Sequence, residues 1–148
     1  MEFQLKIKRF NELSAEDIYQ ILRLRSEVFV VEQNCVYQDI DNKDQKALHL
    51  IGNYDGKTVA YSRLFKPGDY FENASIGRVV IDQQFRDKKW GHMLMQTAIE
   101  GIESHFGETK ITISAQEYLQ QFYETNGFVK RGESYLEDGI PHIEMRRS

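Results

Sequence analysis

Seven residues, Arg86-Asp-Lys-Lys-Trp-Gly-His92, separate the apolar run Ile76–Ile81 and its short polar turn from Met93–Phe106, where apolar side chains recur at helical spacing. A strand that enters a helix through a basic turn can hold an anion. The first turn of a helix exposes unpaired N–H groups and the positive end of the dipole, and together they suit a phosphate or pyrophosphate. Arg86, Lys88 and Lys89 add positive charge, and Gly91 allows close approach to the backbone. A solvated basic helix start has the same composition, so the residues alone leave both readings open. The turn carries neither the P-loop pattern G-x-x-x-x-G-K-[ST] nor the dinucleotide pattern G-x-G-x-x-G.

A second group of reactive side chains follows the first helical segment. Glu32, Gln33, Tyr37, Asp39, Asp41 and Asp44 fall within a short polar stretch, and His49 comes soon after. Such acids attract a cation, and they equally cap turns and helices. A calcium loop starting at Asp39 fails, because Asp44 stands where glycine is required and Leu50 where glutamate is required. With no H-x-x-x-H spacing and a lone Cys35, no metal site is expected. Arg25 falls on the apolar helix face shared by Ile18, Ile21, Leu22 and Phe29, and a buried guanidinium must be paired. Arg63, in an apolar strand, is open to the same two readings of ion pair or substrate grip.

The elements that must carry these groups read as β-α-β-β-β-α-β-α-β-β. Residues 2–9 alternate as a strand, and Ser14 with Asp17 opens a helix expected to run to about Gln33. Residues 49–65 form two strands around Asp55-Gly56, a loop follows over 66–74, and Ser75–Ile81 is a strand. The next helix buries Leu94, Met95, Ala98, Ile99, Ile102 and Phe106, and stops at Gly107. Strand 110–115, a short helix 116–126 closed by Gly127, and a hairpin around Asp138-Gly139 complete the chain. The expected class is α/β (mixed): a central, mostly antiparallel sheet of about seven strands, with helices on both faces and strands four and five parallel and splayed. Residues 1–148 read as one domain.

The string RVVIDQQFRDKKWGHMLMQTAIE resembles the acetyl-CoA motif of the GNAT (GCN5-related N-acetyltransferase) superfamily, [RQ]-x-x-G-x-[GA] at the strand-to-helix turn. Arg86 matches the first position and Gly91 the last, while Lys89 stands where the middle glycine is usual. FYETNGF (122–128) is similar to the second signature, aromatic-Tyr-x-x-x-Gly-Phe. LRSEVFVVEQNCVYQDIDNKD, RVVIDQQFR and YLEDGIPHIEMRR resemble the ElaA-like branch.

The resemblance implies a transferase that binds acetyl-CoA where the fourth strand parts from the fifth. The backbone of Val79, Val80 and Ile81 would pair with the pantetheine arm. The pyrophosphate would lie on Arg86, Asp87, Lys88, Lys89, Trp90, Gly91 and His92. A primary amine of a small molecule or peptide would attack the acetyl carbonyl directly. The Val80 N–H would hold the oxyanion, and Tyr123 would protonate the leaving thiolate, since a phenol of pKa about 10 is protonated at neutral pH. Glu32 or His49 would take the amine's proton. Gln33, Tyr37, His49, Arg63 and His142 would border the acceptor. Lys89, by crowding the diphosphate, would favour the alternative of a non-catalytic acyl-CoA-binding or sensing module.

Net charge is −4, which gives no general attraction to nucleic acid, and the composition (41% apolar, 28% charged) is that of a soluble globular protein. No apolar run reaches the ~18 residues of a membrane span. The single cysteine fits a reducing cytoplasm. A second copy of the chain is a partner that the sequence neither requires nor opposes.

Overall fold

Ser14 opens the first helix as expected: its Oγ accepts from the Asp17 N–H, and the Asp17 carboxylate accepts from the Ser14 N–H, each at 3.0 Å. The computed structural model describes residues 2–148. Its elements are β1 (Gln4–Arg9), α1 (Ala15–Arg25), β2 (Leu48–Tyr54), β3 (Lys57–Phe65), β4 (Ser75–Ile81), α2 (Trp90–Phe106), β5 (Ile111–Gln116), α3 (Gln120–Thr125), β6 (Val129–Glu137) and β7 (Ile140–Arg147). The Asp55-Gly56 and Asp138-Gly139 turns both have positive φ at both residues, as tight hairpins require.

The first helix departs from expectation at its end. Ser26–Glu32 continue it in π form. The Gln33 N–H donates to Val28 O at 3.1 Å and the Cys35 N–H to Val30 O at 3.0 Å, five residues back in each case. The buried face is also centred differently: Leu24 and Arg25 are wholly buried beside Ile21 and Val28, while Ile18 and Leu22 stay half-buried. The expected stripe on α2 is observed, with Leu94, Met95, Ala98, Ile99 and Ile102 buried.

The strands form two antiparallel sheets, β1-β2-β3-β4 and β5-β7-β6. The expectation of one seven-stranded sheet is therefore corrected to two sheets, and strands four and five, expected parallel and splayed, part without a parallel ladder. A single parallel bridge joins Ala74 to Ile111, where the Thr112 N–H donates to Ala74 O at 2.9 Å. Beyond it no ladder links β4 to β5 among the described residues, and the two sheets part. Alternation along the central strands feeds two cores. Leu48, Leu50, Ala60 and Leu64 pack with α2, α3 and the second sheet. Ile51, Tyr61 and Val80 pack with Ile21, Leu24 and Val28. Burying a side chain of this size contributes ~1.5–3 kcal/mol, so both faces of the first sheet hold helices firmly. The parted edge lies between them.

Candidate functional site: the cleft between the two sheets

The parting of β4 from β5 leaves backbone donors of β4 unpaired. The Asp82 N–H donates to Val59 O at 2.7 Å across to β3, and the ladder continues with Ala60–Ile81 and Tyr61–Val80. Hydrogen-bonded and open pairs alternate along an antiparallel ladder. The Val80 N–H therefore faces β3, and the N–H groups of Val79 and Ile81 face the cleft. This corrects the expectation that Val80 supplies an oxyanion donor. Its side chain is buried in the α1 core, and the cleft-facing amide nearest the Arg78 irregularity belongs to Val79. Arg78 has φ of 49°, and the β3–β4 register shifts beside it.

At the upper end of the cleft, the turn after β4 is held from beneath by aromatic rings. Trp90 stacks on Phe3 at 4.2 Å between centroids, and contacts Tyr54 at 5.2 Å and Phe85 at 5.5 Å. That packing commits the Trp90 side chain to the fold and leaves its backbone at the start of α2. The α2 N-cap is Lys89, and no side chain caps the helix. Its first N–H groups thus keep the unpaired character that suits a diphosphate. Lys89 has φ of 62° and ψ of 23°, the left-handed conformation, with an exposed side chain. The turn needs positive φ at this position, which is the physical reason for a glycine there. Lys89 meets the need at a conformational cost, and its side chain is not among those lining the cleft. At Gly91 an added Cβ would lie 3.2 Å from the Phe122 ring, so α3 packs directly on the first turn of α2.

A groove lined by Val79, Val80, Ile81, Arg86, Gly91, Phe122 and Tyr123 runs down from this turn. It shares Phe29, Gln33, Val79, Gln116, Leu119 and Tyr123 with a deeper cavity, which also reaches Cys35, Tyr37, Gly77, Arg78, Ser114, Glu137 and His142. The two spaces are therefore continuous along the parted edge. The Gln33 and Gln116 side-chain amides bridge the cleft where they meet, each donating to the other at 3.1 and 3.2 Å. The π extension presents Gln33, and the last residue of β5 presents Gln116.

Tyr123 lies between groove and cavity, wedged edge-on between Phe122 and Phe128. Burial pushes its phenol above the ordinary range, so it is protonated and able to donate at neutral pH. Gln33, Tyr37 and His142 also line the cavity. Tyr37 donates to Asp39 Oδ1 at 2.9 Å, and burial raises its phenol too.

Three expected side chains are held elsewhere. Glu32 is gripped by Arg86 through two hydrogen bonds, Nη1–Oε2 at 2.6 Å and Nη2–Oε1 at 2.8 Å, on the outer side of the π extension. It does not line the groove or the cavity. Arg86 also donates to Ile81 O at 3.1 Å, so this ion pair ties the turn to β4 and to the end of the helix. His49 is buried behind the cavity, its Nε2 donating to Asp44 O at 2.9 Å and its Nδ1 accepting from the Tyr61 hydroxyl at 2.6 Å. Burial lowers its pKa and keeps it neutral. Arg63 forks onto Asp41 at 2.8 and 2.6 Å and also reaches Asp44 at 2.9 Å.

Arg63 belongs to a larger cluster. Arg25 bonds Asp39 and Asp44 at 2.9 Å each, and Arg78 bonds Asp39 at 2.8 Å. Arg25, Arg63 and Arg78 thus neutralise Asp39, Asp41 and Asp44 and fasten the 37–44 loop to β3 and β4. Burial alone would raise the Asp41 carboxyl, but the Arg63 fork and the nearby Arg78 outweigh it and hold the pKa at about 2. No group of three or more His, Cys, Asp or Glu side chains able to hold a metal ion occurs among the described residues.

Sequence reasoning missed Gln116, Ser114 and Glu137 as cavity residues. The β5–β7 register that sets Gln116 opposite His142 is the signal for the first two. It becomes readable only once those strands are known to pair.

Known proteins agree with this architecture. The model of the acetyltransferase (GNAT) domain matches residues 10–148. The chain belongs to the GNAT acetyltransferase family, whose members take an acyl group from an acyl-CoA co-substrate. Within the family it falls with the ElaA/UPF0039 group. It is 43% identical to the protein ElaA of Escherichia coli strain K12 over 139 residues, covering 93% of this chain and 91% of that one. A UPF0039 protein of Schizosaccharomyces pombe is 45% identical over 141 residues, 94% of this chain and 93% of the relative. The crystal structure of an acyl-CoA N-acyltransferase from Pseudomonas aeruginosa superposes with a TM-score of 0.93 at 41% identity, covering 99% of this chain and 100% of that one.

No helix among the described residues is long and apolar enough to cross a membrane.

Proposed function

We propose that the chain is an acetyl-CoA-dependent N-acetyltransferase that passes the acetyl group directly to a primary amine of a small molecule or peptide. The observation that carries this reading is the continuous path along the parted β4 edge, from the uncapped start of α2, past Tyr123, into the deeper cavity. The chain's own groups divide the work. The amides from Lys89 to His92 meet the diphosphate, with Asp87 and Lys88 completing the turn and Arg86, paired with Glu32, holding it against β4. The cleft-facing amides of Val79 and Ile81 pair with the pantetheine arm. The Val79 N–H is also the nearest donor for charge developing on the carbonyl oxygen. Tyr123 gives its proton to the leaving thiolate. The 37–44 loop, through Tyr37, walls the acceptor side.

The alternative of a non-catalytic sensing module rested on Lys89 crowding the diphosphate. Its exposed side chain and left-handed backbone count against that crowding. The test is thermal shift with acetyl-CoA, followed by thiol release across a panel of amines. Stabilisation by the ligand and turnover of an amine are expected. Tyr123→Phe should lower kcat by ~10²-fold with the affinity for acetyl-CoA within about twofold. Undiminished turnover in that variant rejects the acid role, and ligand binding with no thiol release for any amine returns the sensing module.

A further inference from the structure

The ionic groups beside the cavity balance unevenly. Asp39, Asp41 and Asp44 are matched by Arg25, Arg63 and Arg78. The carboxylates that line the cavity itself, Glu137 and Asp138 at the β6–β7 turn, form no ion pair with Arg or Lys among the described residues. Glu137 Oε1 accepts from the Ser114 hydroxyl at 2.9 Å, which fixes the carboxylate on β5 and leaves Oε2 free. Oε2 lies 3.6 Å from His142 Nε2, too far for a good hydrogen bond. His142 is 7% exposed and its Nδ1 is 2.7 Å from Ile140 O. A carbonyl oxygen can only accept, so Nδ1 carries the hydrogen and a neutral ring keeps its lone pair on Nε2. Two acceptor atoms on one hairpin therefore face the same space, with no donor between them.

We propose that Glu137 and His142 form the amine clamp of the acceptor cavity: Glu137 Oε2 and His142 Nε2 together bind a cationic primary amine, and Nε2 takes its proton. The proposal rests on the acetyl-transfer reading and fills the place that Glu32, tied to Arg86, cannot. In the ammonium form the substrate donates to both atoms and supplies the positive charge that Glu137 lacks. Transfer of one proton to Nε2 frees the nitrogen lone pair, and Glu137 stabilises the imidazolium that forms. The C–N bond then forms as the C–S bond breaks. The thiolate takes the proton of Tyr123, and the second proton shed by the amine nitrogen restores the phenol through solvent. The proton on Nε2 leaves past Glu137, whose side chain is 40% exposed. Other charged or titratable groups facing this space are Arg78 from β4, already held by Asp39, Tyr37, which donates to Asp39, Tyr123 from α3, Tyr135 stacked near His142, Cys35 donating to Asp138 O, and Asp138. None of them offers Nε2 a competing proton acceptor at hydrogen-bond distance.

The test uses the full chain and n-butylamine as probe, at a pH above the ordinary imidazole value of about 6.5. In long-range 1H–15N spectra, with the His142 signal assigned by its loss in His142→Gln, the amine should shift that signal and n-butanol should not. Glu137→Gln should weaken the response at least tenfold. In turnover assays His142→Gln should lower kcat by ~10²-fold, remove the ascending limb of the pH profile of kcat, and leave the KM for acetyl-CoA within about twofold. Glu137→Gln should act mainly on the KM for the amine. An unresponsive His142, an equal response in Glu137→Gln, or a His142→Gln enzyme with an unchanged pH profile overturns the clamp. If acetyl-CoA still stabilises the chain in that event, only the clamp has failed. A chain that acetyl-CoA does not stabilise refutes the acetyl-transfer reading, and the clamp as a catalytic device falls with it.

Discussion

The two walls of the cleft use charge in opposite ways. On the acceptor side, the 37–44 loop carries three acids that could have met a substrate cation, and all three are spent on arginines. On the coenzyme side, the 82–92 turn is fixed by stacked rings and by ion pairs of Arg86 with Glu32 and of Lys57 with Asp82, so the first N–H groups of α2 stay uncapped. A run of charged residues in sequence is thus no guide to which charges are free. What remains available is set by which groups the fold has already paired, and here these are amides on one wall and the β6–β7 hairpin on the other.

The sharpest way to break this contrast is to unpair the acceptor-side cluster. Arg25→Ala empties a wholly buried guanidinium site and leaves Asp39 ion-paired with Arg78 alone and Asp44 with Arg63 alone, and should cost ~3–5 kcal/mol of stability in urea unfolding. A loss below ~1 kcal/mol would mean that the loop is not fastened by these pairs. Acid probes the same cluster. Asp41 has a folded pKa of about 2, below its ordinary value of 3.8, so its contribution is present in full above the unfolded value and is lost as pH falls toward 2. That loss should be ~2 kcal/mol, and Asp41→Asn should flatten the dependence of stability on pH in this window.

The coenzyme wall responds less. Lys89→Gly relieves the left-handed backbone at a small entropic cost, and should raise stability by ~0.5–1 kcal/mol. Because the side chain is exposed, the affinity for acetyl-CoA measured by calorimetry should stay within about threefold. A large change would show that Lys89 itself contacts the diphosphate. Glu32→Gln should have the smallest effect, ~0.5 kcal/mol or less, as an exposed ion pair does. Its turnover should stay within about threefold, since the ~10²-fold loss of a missing general base is not expected there. Such a loss would restore Glu32 to the reaction.

Local rules governed much of what the chain shows. Capping by Ser14 and Asp17, the Asp55-Gly56 and Asp138-Gly139 hairpins and the α2 stripe depend on neighbours within a few residues, so spacing reveals them. Motif positions single out Gly91 and Tyr123, and the fold packs both beside Phe122. The π form of Ser26–Glu32 was not, since apolar spacing does not distinguish five-residue closure from four over so short a run. Nor was the direction of the Val80 amide, which a pairing with β3 decides.

By itself, then, the sequence determined the order of elements, the basic turn entering α2 and the aromatic hydroxyl that follows it. These are properties of residue type and short-range periodicity. Tertiary structure alone decided that β4 and β5 part beyond Ala74 and Ile111, that Arg25, Arg63 and Arg78 consume the acids of the loop, and that Glu137 and His142 face one space. Each of these depends on groups distant in the chain. Whether a charge or a backbone amide is available for chemistry follows from which distant partner packing brings within bonding distance.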